Sequence, residues 1–172
     1  MKKAVIIELG IRDIFDIMDL EDNIDGAISS YTDWYHWFLT GTKTWGIKDG
    51  DKLVAIGSIS YYDHQSEMCD LKRAKVAILT NGEVHPLYRG LGYQRQLINH
   101  RIKFNLNQSI YNIQALVKEG NEPSIKNLQC SGFVYRGFHC GEEGIAAKYV
   151  YRHPWLIMFK KITNFKFATP SC

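Results

Sequence analysis

The sequence predicts an α/β protein, a single mixed layer of strands and helices. Three observations carry that prediction. Short β-branched runs alternate with stretches whose apolar residues recur at helical spacing. An Asp-Gly-Asp turn joins two of the strand runs directly, and a glycine-rich turn leads from another strand into a helix. At 172 residues and 45% apolar, the chain has the length of one domain and enough material for an ordinary core.

Taken in order, "KAVIIEL" (3–9) is a short strand by its β-branched content. Residues 13–28 place Ile14, Ile17, Met18 and Leu20 near helical spacing, and "YTDWYHWFLTG" (31–41) reads as a second helix stopped by Gly41. "TWGIK" and "KLVAIGSISYY" flank "DGD" at 49–51 as a hairpin, and "KVAILTNGEV" (75–84) is a further strand. A helix from 91 to 106 shows Leu91, Ile98, Ile102 and Leu106 on one face, with Leu97 beside them. "NIQALV" (112–117) is a strand, and 122–131 is a short helix closed by Gly132. "FVYRGF" and "GIAAKYVYR" form a last hairpin across the glycine-flanked "CGEEG". No internal repeat or low-complexity tract interrupts this order.

Charge and cysteine usage narrow the class. A net charge of +3 with 23% charged residues suits a small anionic ligand, and no clustered Lys/Arg run suggests nucleic acid. Cys69, Cys130, Cys140 and Cys172 show no Cys-x-x-Cys spacing, which predicts reduced thiols in the cytoplasm and no metal. The opening "MKKAVIIELG" is too soon interrupted by Glu8 and Arg12 for a signal peptide. No segment reaches the roughly 20 apolar residues of a membrane span.

The most informative stretch is "EVHPLYRGLGYQRQL", residues 83–97. Glycines after a strand free the backbone of Cβ, so successive N–H groups can converge on one point. The first turn of the following helix adds unpaired N–H groups and the positive end of its dipole. That is an anion site suited to phosphate or pyrophosphate, with Arg89 and Arg95 placed to reinforce it. The pattern is no P-loop, lacking Gly-Lys-Ser/Thr, and no dinucleotide fingerprint, lacking the third glycine.

"VHPLYRGLGYQRQL" resembles the acetyl-CoA signature of the GNAT superfamily of N-acetyltransferases, with Val84, Pro86, Arg89 and Gly92 matching and Gln94 replacing a small residue. A second block, "NEPSIKNLQCSGF", is similar to that family's Asn-x-x-Ser … Gly-Phe segment through Asn121, Ser124, Gly132 and Phe133. The resemblance covers residues 3 to about 153 and implies a GNAT domain over 1–153, a mostly antiparallel sheet flanked by helices, and splayed fourth and fifth strands. It further implies that the pantetheine arm lies in that splay. The Val84 backbone then holds the acetyl carbonyl, and the amides of Gly90, Leu91, Gly92, Tyr93, Gln94 and Arg95 hold the pyrophosphate. Arg89, Asn121 and Ser124 complete the cofactor set. The expected partners are acetyl-CoA and an amine acceptor, with neither nucleic acid nor membrane.

Acetyl transfer to an amine asks for a base, because a lysine-type amine with pKa about 10.4 is protonated at neutral pH. It also asks for N–H donors to the oxyanion and a proton for the leaving thiolate. The family's usual base positions fall on Thr80 and Ile78, which cannot serve, and its thiolate-side tyrosine falls on Leu128, leaving Tyr111 or Tyr135 or solvent. Glu83 and His85 are the nearest titratable groups and the candidate catalytic pair. Strand alternation turns both away from the face of Thr80 and Gly82 unless a bulge re-aims one of them. For Glu83 a solvated or paired carboxylate is the alternative role. The resemblance places the acceptor wall on the first two helices and the last hairpin, and on the second helix Tyr31, Trp34, Tyr35, His36 and Trp37 read either as a pocket for an amine on an apolar body or as core. No acidic cluster announces a polycationic acceptor.

Residues 154–172 form an extension. Pro154 suits a first helical position, and Trp155, Met158, Phe159, Ile162 and Phe165 make one apolar stripe. Such a short helix needs burial, against the chain's own sheet, in a homodimer seam or on a membrane surface.

Overall fold

A computed structural model describes residues 4–24, 29–64, 74–118, 120–141 and 144–151. The 154–172 extension, with its expected stripe, lies outside the described residues. The strands are β1 (Ile6–Leu9), β2 (Lys43–Asp49), β3 (Lys52–His64), β4 (Ala74–Val84), β5 (Asn112–Lys118), β6 (Phe133–Gly141) and β7 (Gly144–Tyr151). The helices are α1 (Ile14–Glu21), α2 (Tyr31–Leu39), α3 (Tyr93–Asn107) and α4 (Glu122–Cys130). The seven strands form one sheet in the order β1-β2-β3-β4-β5-β7-β6. Neighbours are antiparallel except β4 and β5, which run parallel because α3 carries the chain back between them. This is the mixed α/β layer that the element order predicts, and its mostly antiparallel sheet is the one the resemblance implies.

Local signals set the element ends. Ser30 and Asp33 close a capping box at the start of α2, the Ser30 Oγ accepting from the Asp33 N–H at 3.2 Å. Asn121 caps α4 through its Oδ1, which accepts from the Ser124 N–H at 3.2 Å. Two helices differ from expectation. The first is shorter than 13–28, ending at Glu21. The third starts at Tyr93, not 91, since Gly90 and Gly92 both take φ +80°, outside the helical region. Leu91 is therefore exposed on the turn, and the buried face of α3 is Leu97, Ile98, Arg101, Ile102 and Asn105.

The core has two parts. One, built on Trp45, Ala55, Ile59, Leu79, Leu97 and Ile98, joins the sheet to α3 and α4. The other, built on Leu9, Ile14, Ile17, Leu20, Trp34 and Ile56, joins it to α1 and α2. Adjacent strand residues Ala55 and Ile56 belong to different parts, so the two lie on opposite faces of the sheet. No helix among the described residues is long and apolar enough to cross a membrane.

Candidate active site

The glycine turn is built as the sequence predicts, and for a reason of backbone angle. A Cβ on Gly90 would meet nothing within 4 Å, but φ +80° at Gly90 and Gly92 disfavours any other residue. The turn delivers the free amides of the first turn of α3 to the wall of a cleft of about 740 Å³. Arg89 and Arg95, both exposed, stand on the same wall, and Arg89 Nε donates to the Val84 carbonyl at 3.4 Å. Every predicted cofactor residue lines this cleft except Leu91. A turn with two positive-φ glycines, a helix start and two guanidinium groups fits a bound pyrophosphate.

Beside it, the sheet opens. β4 and β5 pair only from Val76 with Asn112 to Leu79 with Ala115, and then part. Between them lies a second cavity of about 180 Å³, bordered by Thr80, Gly82, Leu116 and Leu128. Gln94 lines both spaces. Its Nε2 donates to the Gly82 carbonyl at 3.4 Å and to Ser124 Oγ at 3.1 Å, and its Oε1 accepts from Asn127 Nδ2 at 2.6 Å. The larger residue at this motif position thus ties β4 to α4 across the splay.

The strand alternation that turns Glu83 away from Thr80 is broken by a β-bulge. Ser58 pairs with Thr80 and Ile56 with Glu83, so Asn81 and Gly82 together face Gly57. Asn81 takes φ +44° within the strand, a conformation that asparagine tolerates better than most residues. The extra residue brings Thr80 and Glu83 onto one face, the face of Ile56 and α1. There Glu83 borders the large cleft, and its Oε2 is buried without a partner. Burial, reinforced by the charge of Glu21, pushes its carboxyl up to about 7.

Glu21, which sequence reading passed over, is 3% exposed and has its own carboxyl raised by burial. Its Oε2 accepts from Trp34 Nε1 at 3.1 Å, and its Oε1 has no partner. The signal was present: Glu21 follows Ile17 by four residues and so falls on the apolar stripe of α1, although "DLEDN" reads as a solvated acidic run. Two carboxylates from distant parts of the chain thus lie within electrostatic reach of each other, and Glu83 borders the cleft.

The other candidates are dispersed. His85 is buried away from both cavities. Its Nδ1 accepts from the Leu87 N–H at 3.2 Å and its Nε2 lies 3.3 Å from Lys52 Nζ, so it caps the 3₁₀ turn Pro86–Tyr88. Trp34 is a fully buried core residue. Tyr31 and Tyr35 stack on each other at 6.2 Å and half-face solvent, and none of these three borders either cavity. Trp37 packs edge-on against Trp34 at 5.0 Å. Tyr111 and Tyr135 are exposed and line neither space, while Leu128 is buried at the splay. Among the described residues no group of His, Cys, Asp and Glu is placed to hold a metal ion.

Comparison with known proteins agrees with this geometry. The family model of the acetyltransferase (GNAT) family matches residues 11–133. NAA60 of Arabidopsis thaliana, solved with acetyl-CoA, superposes with a TM-score of 0.68 at 17% identity, covering 87% of this chain and 98% of that one. The ribosomal-protein-S18-alanine N-acetyltransferase of Escherichia coli gives 0.68 at 17%, covering 87% and 93%. A putative acetyltransferase of Acinetobacter baylyi ADP1 gives 0.69 at 18%, covering 88% and 93%. Identities this low speak for the fold alone. Among curated proteins no sequence matches.

Proposed function

The chain belongs to the acetyltransferase (GNAT) family, and from that premise we propose that it moves an acetyl group from acetyl-CoA to a primary amine by direct attack in a ternary complex. The observation that carries this reading is the bulge, which sets a buried carboxylate with a midpoint near neutrality beside the glycine-turn cleft. Pyrophosphate lies on the amides from Gly90 to Arg95, and the pantetheine arm runs into the gap between β4 and β5. Glu83 takes the proton from the incoming ammonium, directly or through water, and Glu21 supplies a second negative charge that favours the cationic form on arrival. The amine then attacks the thioester carbon, and the carbonyl oxygen takes up the negative charge. The C=O bond re-forms as the C–S bond breaks, the nitrogen losing its extra proton to solvent and the departing thiolate taking one from solvent. A cytoplasmic setting belongs to this reading, supported by scattered cysteines of which Cys130 is an exposed free thiol.

The test is release of CoA thiol from acetyl-CoA with a panel of amines. Peptide α-amines and spermidine come first, because solved neighbours include a bisubstrate-bound NAA60, an alanine N-acetyltransferase and a spermidine N-acetyltransferase chimera. Turnover with one acceptor, reduced about a hundredfold or more in Glu83→Gln, is the expected result. A second reading, an acyl-CoA-binding module without turnover, is favoured by Leu128, a buried side chain without a proton to give at the splay. Tight acetyl-CoA binding with no thiol release from any acceptor would establish it.

A further inference from the structure

Arg101 is a buried cation that takes no part in the proton and acyl transfers proposed above. It is 2% exposed at the centre of α3, and among the described residues no carboxylate stands within ion-pair distance. Burial alone pulls its guanidinium down to about 9. A buried charge without a counter-ion is costly, so the groups it does touch indicate what it is kept for. All are backbone carbonyls. Nε donates to Leu97 O at 3.2 Å on its own helix, while Nη1 donates to Ser58 O at 2.8 Å on β3 and Thr80 O at 3.1 Å on β4.

Those two carbonyls belong to the pair that closes one side of the bulge. Ser58 and Thr80 are the last paired residues before Asn81 and Gly82 crowd opposite Gly57. Gly57 makes room for the contact: a Cβ there would stand 2.8 Å from Arg101 Cζ. Without the extra residue, alternation would carry Glu83 to the α3 face, away from the cleft and from Glu21. A single Nη1 that donates to both strands, held by the Nε bond to its own helix, fixes their offset where the ladder does not.

We propose that Arg101 is a positioning residue: by bridging the Ser58 and Thr80 carbonyls it holds the bulge that aims Glu83 at the acceptor end of the cleft. The proposal rests on Glu83 being the base, but its test does not. Glu83 is titrated by carbon-13 NMR of the side-chain carboxyls in glutamate-labelled protein, its resonance identified by its loss in Glu83→Gln. The charged group facing Glu83 from α1 is Glu21, itself influenced by Asp22 and Asp33, and these stay unchanged in every variant.

In Arg101→Met and in Gly57→Ala, Glu83 is expected to titrate about one unit or more below its parent midpoint, toward the ordinary carboxylate range. Arg101→Lys, which keeps the charge and can still reach one carbonyl, should restore most of the shift. A role confined to stability would lower the melting temperature and leave the Glu83 midpoint where it was. A folded Arg101→Met protein with an unmoved midpoint overturns the proposal. Should that variant not fold, Gly57→Ala decides by the same criterion, since it displaces the guanidinium without removing it. A shifted midpoint combined with full activity in Glu83→Gln would uphold the brace and sink only the reading of Glu83 as base.

Discussion

Glu83 holds its proton up to about pH 7 in the folded protein, against an ordinary value of 4.5 that applies once the chain unfolds. Its basic form is therefore scarce below neutrality, and kcat/KM should fall on the acid side with a midpoint near 7. Glu21→Gln removes the neighbouring negative charge while keeping an acceptor for Trp34, so the midpoint should move to lower pH; a pH–rate profile superposing on the parent would assign the raised value to burial alone. The same carboxyl has a cost in stability. Between 4.5 and about 7 the folded state binds a proton that the unfolded state has released, so this group's contribution is full below 4.5 and is lost as pH rises through 7. Glu83→Gln should melt higher than the parent above pH 7, and the gap should narrow on acidification. Calorimetric melts at pH 5 and pH 8 check this, and a gap independent of pH would contradict it.

At the scale of elements, the turn between β4 and α3 is where backbone angle limits substitution most. Gly92→Val forces a β-branched side chain to φ +80° and should cut acetyl-CoA affinity by about a hundredfold or more, while the strain lowers the melting point by several degrees and leaves the protein folded. Isothermal calorimetry on the folded variant reads it directly, and unchanged affinity would remove the glycine turn from the cofactor site. Most elements were legible because they carry local chemistry: the Asp-Gly-Asp hairpin, the capping residue Ser30, the glycine that follows the last turn of α4. What alternation hid was the bulge, since a strand with one inserted residue looks in sequence like a strand without it. The Asn81-Gly82 pair inside an otherwise β-branched run was the available sign. Arg101 was concealed for the opposite reason. It sits four residues after Leu97 and three after Ile98, inside the apolar stripe, where a charged residue reads as an interruption rather than as a part. The electrostatic influence of Glu21 on Glu83, and the hydrogen bond from Arg101 to Thr80, depend on the sheet being assembled, and no pattern within a single element contains them.

For the whole molecule, the splay makes a joint. β1 to β4 form an antiparallel meander, β5 to β7 a second antiparallel group, and only the pairs from Val76–Asn112 to Leu79–Ala115 stitch them together along the sheet. A ligand that spans the gap should add stability in both halves. Acetyl-CoA at a hundred times its dissociation constant should stabilise the fold by about 2.7 kcal/mol. Hydrogen exchange should show new protection on Thr80–Val84 and Leu116–Lys118 in the same titration, whereas a melting point indifferent to acetyl-CoA would deny binding. The joint also has a bearing on how the chain acquires its shape. Strands β2, β3 and β4 follow one another in the chain and pair as sequence neighbours, β1 joins β2 across α1 and α2, and β5 must wait for α3 to cross and for β7 to return along its far edge. The binding groove is thus among the last features to be completed during folding, and recovery of acetyl-CoA binding after dilution from denaturant would time the final step.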